Sequence, residues 1–344
     1  MVSNQVEKLN KLNALSEHHY RVNAHFRNLV DRLFQGRSTA ERLDELPYVP
    51  AELFKTHVLK SIPDDEIFKV MKSSGTTSQQ RSQIFLDRDT ARRQSKALSN
   101  IFSEVFGAKR LPMLIIDQPG QISNPATFSA RGAGILGFSM FASKRFFALN
   151  DDMSINEAAV KEFLDLDTPR KCLFGFTAII WEEFLEKIDI RKGKGDAGLL
   201  HGGGWKKLAS RNISKQHFAA KLKEKMPFVT SVHDYYGMVE QTGSIFMGCE
   251  NGYLHTNEYN DVICRDTETL KVLLNGETGV VQVLSVLPTS YPGFSILTED
   301  LGTILGDSDL GTGCVCGLEG KFFEIHGRIG TAEVRGCSDT YRTV

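Results

Sequence analysis

The sequence predicts an α/β core joined to a small antiparallel β subdomain, and two changes of texture along the chain say so. Between about residues 111 and 232, short apolar strands alternate with amphipathic helices, the spacing of βαβ units on a largely parallel sheet. From about Gly252 onward, short strands follow one another between tight turns at Asn275-Gly276, Pro292-Gly293 and Gly311-Thr312-Gly313. A chain of 344 residues, 41% hydrophobic and 24% charged, is long enough for one large or two medium domains with a buried core.

Taken in order, residues 5–36 read as helix. Phe26, Leu29, Val30, Leu33 and Phe34 form one apolar stripe, and Gly36 is placed to end it. Pro47-Tyr48-Val49-Pro50 is an extended connector, and Ala51 to Leu59 a short helix. Two apolar runs, Ile67 to Met71 and Ile84 to Leu86, read as strands on either side of a loop, Lys72 to Ser82. Thr90 to Phe106 reads as a helix capped by Asp89 or Thr90. Strands at Leu111 to Ile116 and Cys172 to Gly175 follow, the second leading into a helix from Thr177 to Ile188. Gly198-Leu199-Leu200 runs into His201-Gly202-Gly203-Gly204; Ser214 caps a helix ending at Lys225, and Phe228 to Val232 is the next strand. In the C-terminal region strands are predicted at Asp261 to Cys264, Leu270 to Leu274, Val280 to Val286 and Phe322 to Ile325.

Composition narrows the function. A net charge of -1 carries no nucleic-acid or anionic-membrane footprint. The N-terminus has no apolar core segment of a signal peptide, and the longest apolar stretch, around Gly132 to Ala142, is too short and glycine-rich to span a bilayer. Six cysteines without a secretion signal suggest reduced thiols, and a cytoplasmic location is expected.

Five segments carry chemistry. In Ser73-Ser74-Gly75-Thr76-Thr77-Ser78, one glycine and five hydroxyls make a loop that can wrap a polyphosphate without fixed charge; an ordinary Ser/Thr-rich surface turn has the same composition. The loop is not G-x-x-x-x-G-K-[ST], since the second glycine and the Lys-Ser/Thr pair are missing. His201-Gly202-Gly203-Gly204-Trp205 lets backbone approach a flat ligand such as a purine, or is a plain strand-to-helix turn. Asp234-Tyr235-Tyr236-Gly237-Met238-Val239-Glu240 lies at a strand end, where Glu240 can hold magnesium and Tyr236 can stack on a base. Thr298-Glu299-Asp300-Leu301-Gly302 offers a carboxylate at a turn, suited to ribose hydroxyls, although Asp in a turn needs no ligand. Gly327-Arg328 adds a cation.

Cys249, His255, Cys314 and Cys316 offer three sulfurs and one imidazole, a set that suits a tetrahedral structural zinc; small apolar packing in strands is the other reading of the cysteines. Cys172 and Cys264 fall in apolar strand patterns and read as core.

Ser73-Ser74-Gly75-Thr76-Thr77, Tyr236-Gly237-Met238-Val239-Glu240, Thr298-Glu299-Asp300-Leu301-Gly302 and Gly327-Arg328 occur in the order and rough spacing of adenylate-forming ligases, which activate a carboxylic acid with ATP. Leu53-Phe54-Lys55, Phe174-Gly175-Phe176-Thr177, His201-Gly202-Gly203-Gly204-Trp205-Lys206 and Arg335-Gly336-Cys337-Ser338 bring the chain closer to the acyl-protein synthetases of bacterial luminescence operons (LuxE-type), which it resembles from about residue 45 to its C-terminus. Within the superfamily it is also similar to the phenylacetate–coenzyme A ligases, some of which show a like Cys/His pattern.

The resemblance implies the core of an adenylate-forming ligase, parallel and mixed sheets flanked by helices. It divides the chain into an N-terminal helical segment (1–60), a nucleotide-binding α/β core (61–250), a small β subdomain (251–327) and a hinge with a short arm (328–344). It implies that Ser73 to Ser78 hold the ATP phosphates, that Gly202, Gly203, Gly204, Tyr236 and Gly237 form the adenine pocket, that Glu240 contacts magnesium, and that Asp300 and Arg328 bind the ribose. The acyl chain is expected near Phe174-Gly175-Phe176 and the Gly132/Gly134 segment, and Cys337, flanked by Arg335 and Arg342, is the implied acyl acceptor.

Two features depart from the wider superfamily. Ser78 and Arg81 stand where a glycine and a lysine are usual, and the sequence stops soon after Arg328, without the mobile C-terminal domain and its lysine. The second departure is expected of an acyl-protein synthetase. The reading is therefore an ATP-dependent ligase that adenylates a fatty carboxylic acid and loads it on its own cysteine for a partner such as a reductase. The alternatives are a ligase passing the acyl group to coenzyme A or a carrier protein, and a non-catalytic nucleotide-binding scaffold.

Overall fold

A computed structural model describes residues 3–73, 81–123 and 130–329, apart from 204, 206, 207, 209, 210 and 212. Its strands in chain order are β1 (Val49–Pro50), β2 (Lys69–Lys72), β3 (Gln83–Leu86), β4 (Leu111–Ile116), β5 (Ala142–Phe147), β6 (Arg170–Phe176) and β7 (Asp196–Gly202). They continue as β8 (Val229–Tyr236), β9 (Phe246–Gly248), β10 (Leu254–His255), β11 (Asn260–Arg265), β12 (Thr278–Ser285), β13 (Ser295–Asp307) and β14 (Lys321–Arg328). Two compact units are interleaved in sequence: among the described residues one gathers 3–101, 237–246 and 253–329, and the other 102–236 and 247–252.

The first unit opens on two helices where the pattern predicts one. Helix α1 (Ser3–Val22) stops at Asn23, whose extended backbone and side-chain oxygen cap α2 (Ala24–Leu33) by accepting from the Phe26 N–H at 3.0 Å. The Asn23 amide also donates to the Lys60 carbonyl at 2.9 Å, so the break is anchored. Gly36 ends α2 as expected, with φ +76° and its N–H on the Val30 carbonyl. A short helix α3 (Leu53–Thr56) lies inside the expected span, and α4 runs Arg88–Phe106. Its cap is Asp87 rather than Asp89 or Thr90, since the Asp87 carboxylate accepts from the Thr90 N–H at 2.6 Å.

Strands β11, β12, β13, β14 and β10 form an antiparallel array in that order, with β1 parallel to β13; β2 and β3 pair as a separate hairpin. Two expectations change here. Leu270–Leu274 makes only an isolated bridge from Val272 to Arg265, because Leu270 takes φ +57° and the chain turns away. Thr298-Glu299-Asp300 lies within the long strand β13 rather than at a turn, at an irregularity where the register with β12 shifts between Val280 and Gln282, and Asp300 is paired with Arg328 of β14.

The second unit is the predicted parallel sheet, in the order β8-β7-β6-β4-β5. Leu114, Ile115, Leu173, Phe174, Leu199 and Leu200 on its central strands are buried, the continuous apolar run of a sheet covered on both faces. Helices Ala130–Ser139, Glu157–Asp165 and Lys215–Lys225 belong to this unit, the last capped by Ser214 as predicted. The helix expected from Thr177 to Ile188 widens into a π turn over Ile180–Leu185, where the Glu186 N–H reaches the Trp181 carbonyl at 3.1 Å. Cys172 and Cys264 are buried, as their patterns predict.

Candidate active site

In the first unit the β2–β3 hairpin presents the ends of the serine/threonine loop. The Ser73 N–H donates to the Ser82 carbonyl, and the Ser82 N–H to Ser73 Oγ, both at 3.0 Å, so the loop leaves and rejoins the hairpin at one clasp. Ser74, Gly75, Thr76, Thr77 and Ser78 lie outside the described residues. Ser82 is buried, and its side chain hydrogen-bonds the Glu240 carboxylate.

Glu240 sits in a single 3-10 turn, Val239–Gln241, and is only 6% exposed. Burial raises its pKa; the Ser82 hydrogen bond, its own backbone and the positive charges of Lys55 and Arg328 oppose that rise. The turn is fixed from several sides. Gln241 Nε2 donates to the carbonyls of Val283 (3.1 Å) and Gly293 (2.8 Å). Gly243 lies so close to the Gln94 backbone that a Cβ there would stand 2.5 Å from its carbonyl oxygen, and its φ of +83° suits glycine.

A set of charged side chains belongs to the same unit. Asp300 on β13 and Arg328 on β14 are Cα partners, with Arg328 Nε 3.7 Å from the Asp300 carboxylate. Glu299 is shared between Lys55 Nζ at 3.4 Å and an Arg328 terminal nitrogen at 3.7 Å. The Ile329 N–H donates to the Glu299 carbonyl, which holds the strand end in register. Lys55 is a site residue that chain-order reading did not assign. Its place on a one-turn helix carries no local signal, and only its reach to Glu299 marks it.

In the second unit, Gly202 closes β7 beside Tyr235 of β8. A Cβ at Gly202 would stand 2.6 Å from the Tyr235 ring, so the glycine lets that ring lie against the backbone. Gly203 takes φ +69°, and Gly204 lies outside the described residues. Tyr236, next along β8, projects to the opposite face from Tyr235 by strand alternation. Gly237 belongs to the first unit, where a Cβ on it would meet Ile245 at 2.9 Å. Phe138, Phe174, Phe176 and Tyr235 form a linked aromatic group beside Gly134, in the segment expected to face the acyl chain.

Trp205 and Asp234, both in segments the sequence singled out but given no role there, meet in the second unit. Trp205 Nε1 donates to Asp234 Oδ2 at 2.8 Å, and Lys215 Nζ stands 3.6 Å from the same oxygen. Asp234 Oδ1 is buried with no hydrogen-bond partner among the described residues, leaving an acceptor beside the glycine turn. His201 beneath them is buried on Thr177, Nδ1 to Oγ1 2.9 Å, and burial lowers its pKa to about 4.

In the first unit, ligand atoms of His255, Cys314 and Cys316 lie within 4.8 Å of one another; Cys249, the fourth residue of the set, belongs to the second unit. His255 Nε2 is 3.4 Å from Cys316 Sγ, while its Nδ1 is buried without a hydrogen-bond partner. Ligands around a tetrahedral zinc stand roughly 3.5 Å apart, so a small contraction would bring these three to that spacing. Cys337, with Arg335 and Arg342, lies outside the described residues.

The model of the LuxE acyl-protein synthetase family matches residues 1–343. The chain belongs to that family.

Two relatives of this acyl-protein synthetase are long-chain-fatty-acid–luciferin-component ligases. The one from Vibrio harveyi is 24% identical over 94% of this chain and 84% of its own length; the one from Aliivibrio fischeri is 24% identical over 93% and 84%. In structure the synthetase is similar to an open form of 2-hydroxyisobutyryl-CoA ligase in complex with its acyl-AMP and CoA. The TM-score is 0.68 at 16% identity, over 95% of this chain and 75% of that one. The fold is that of the adenylate-forming ligases, as the motif order implied.

Proposed function

We propose that this acyl-protein synthetase adenylates a long-chain fatty acid with ATP and transfers the acyl group to its own Cys337. The observation that carries the reading is Glu240: a buried carboxylate tied through Ser82 to the base of the hydroxyl-rich loop, within the influence of Lys55 and Arg328. A carboxylate buried in that way is costly alone and is relieved by a cation. Magnesium fits the place, and when bound it neutralises phosphate oxygens. Ser73 to Ser78 supply neutral hydroxyl and N–H donors to the phosphates, which stabilise developing charge without reorganising. Asp300 accepts from ribose hydroxyls with Arg328 beside it, and Gly202 to Gly204 with Tyr236 and Gly237 face the adenine.

In the first step a carboxylate oxygen of the fatty acid attacks the α-phosphorus. The new O–P bond makes the acyl adenylate, and the bond to pyrophosphate breaks. In the second, the Cys337 thiolate attacks the acyl carbon, a thioester forms, and AMP leaves with the electron pair of the broken C–O bond. Arg335 and Arg342 lie close enough in sequence to favour the thiolate. An acyl-accepting reductase or carrier protein then takes the acyl group. No helix among the described residues is long and apolar enough to cross a membrane, and we place the reaction in the cytoplasm.

The fatty-acid class rests on the relatives' names and the family. Cys249, His255, Cys314 and Cys316 hold a structural zinc in this reading; the three thiolates and the orphaned His255 nitrogen support it. The test of the first step is magnesium-dependent ATP–pyrophosphate exchange across a panel of acids. Exchange with long-chain acids is expected, and no exchange with any acid would instead favour a nucleotide-binding scaffold.

A further inference from the structure

On the first unit, α1 and α4 leave an open cleft of about 570 Å³, lined also by the chain around Tyr259 and Leu287. It lies within the size range of small-ligand sites. Its space comes from alanines: Ala14 on α1 and Ala97 on α4 line it where larger residues would fill it. Leu15, Ala97 and Leu287 make a buried apolar floor. Around that floor stand Lys11, His18, Arg93 and Lys96, against one acid, Glu258.

The cations differ in how they are occupied. Lys11 pairs with Glu7 at 2.6 Å, and His18 Nε2 contacts the Thr289 carbonyl at 3.0 Å. Arg93 Nε lies 3.3 Å from the Asp89 carboxylate without hydrogen-bond alignment, and its Nη2 donates to Thr289 Oγ1. Lys96 is exposed and forms no ion pair with any described residue. A polar molecule gains nothing from the floor, and a neutral apolar one gains nothing from the rim. A single aliphatic tail ending in an anion uses both.

We propose that this cleft is a binding site for a long-chain aliphatic carboxylate, with the tail on Leu15, Ala97 and Leu287 and the head group at Arg93 and Lys96. None of the residues that line it belongs to the Glu240 turn or to the hairpin that holds Ser82. It stands on the cleft's own chemistry, so it holds whether or not the chain adenylates acids.

The experiment is photolabelling of the full chain, without ATP, by a diazirine-bearing hexadecanoic acid, with peptide mapping by mass spectrometry. Label is expected in the segments 11–18 and 93–97. Lys96→Glu, an exposed charge reversal, should reduce it about three- to tenfold, and Ala14→Trp, which fills the cleft from an exposed position, should remove it. Both variants should keep the wild-type melting temperature and, at saturating acid, the wild-type ATP–pyrophosphate exchange. The matching alcohol probe should label these segments several-fold less. Absence of label there, equal labelling by the alcohol, or label unchanged in both variants would overturn the proposal. So would displacement of the probe by an acidic amphipathic peptide where hexadecanoic acid itself fails to compete, which would assign the cleft to a protein partner.

Discussion

Asp300 and Arg328 are direct partners across the antiparallel pair β13–β14, and the neighbouring Glu299 ties the same arginine to Lys55. One strand pair therefore sets a carboxylate and a guanidinium side by side with little freedom of register. Each side chain is partly exposed, so both reach solvent while the backbone beneath them is fixed.

Removing either side chain should weaken nucleotide binding more than the chemical step. Asp300→Asn and Arg328→Ala should each raise the KM for ATP about tenfold, with a smaller fall in kcat. The double variant should lose less than the product of the two, because the residues share one contact. Steady-state exchange kinetics read both quantities, and an unchanged KM would remove them from the nucleotide site.

Glu240 should behave oppositely in activity and in stability. Glu240→Gln should reduce magnesium-dependent exchange by about 10²–10³, the usual cost of losing a preorganised electrostatic group. The unliganded variant should melt higher than wild type, since the amide keeps the Ser82 contact without a buried charge. Differential scanning calorimetry without nucleotide checks the second part.

Two buried histidines set an acid limit on folding. Burial lowers His201 to about 4 and His19 to about 3, both below the ordinary value of 6.5. The unfolded chain therefore binds protons first as pH falls, so stability is complete above about 6.5 and declines toward 4. His201 alone accounts for on the order of 3 kcal/mol over that window. His201→Gln, able to keep the Thr177 contact, should flatten the acid limb of a denaturation-midpoint curve measured between these values.

The Cys/His cluster should bind one zinc per chain, read by mass spectrometry of the intact protein and by elemental analysis. Cys314→Ser or Cys316→Ser should lose the metal and lower the melting temperature, as should a strong chelator. Retention of full zinc by the His255→Ala, Cys316→Ser double variant would place the metal elsewhere.

Much of this was legible in the sequence because the signals were local. Strands β4, β6 and β8 announce themselves as apolar runs, and Ser214 and Gly36 carry helix-end chemistry in their own side chain or backbone. The Cys/His set was picked out by residue type alone, its spacing being that of no standard finger, and apolar packing stood beside the metal reading.

What escaped depended on distant partners. Asn23 breaks the first helix because it also bonds Lys60, which no window around residue 23 contains. The polar run Thr298-Glu299-Asp300 looks like a turn, yet it is a bulge-like irregularity inside a strand, since β12 pairs with β13 before and after it and β14 pairs from Asp300 onward. Lys55, Ser82 and Asp234 gain meaning only from Glu299, Glu240 and Trp205, residues 29 to 244 positions away. The interleaving of residues 1–101 with the chain beyond 253 is likewise set by long-range pairing such as β1 with β13.

The most direct measurement incubates the protein with magnesium, ATP and a radiolabelled long-chain acid, then follows hydroxylamine-sensitive label on the chain. Label is expected on the wild type and absent from Cys337→Ala, which should retain pyrophosphate exchange. Full labelling of Cys337→Ala, or ready transfer from that variant to coenzyme A, would contradict self-acylation at Cys337.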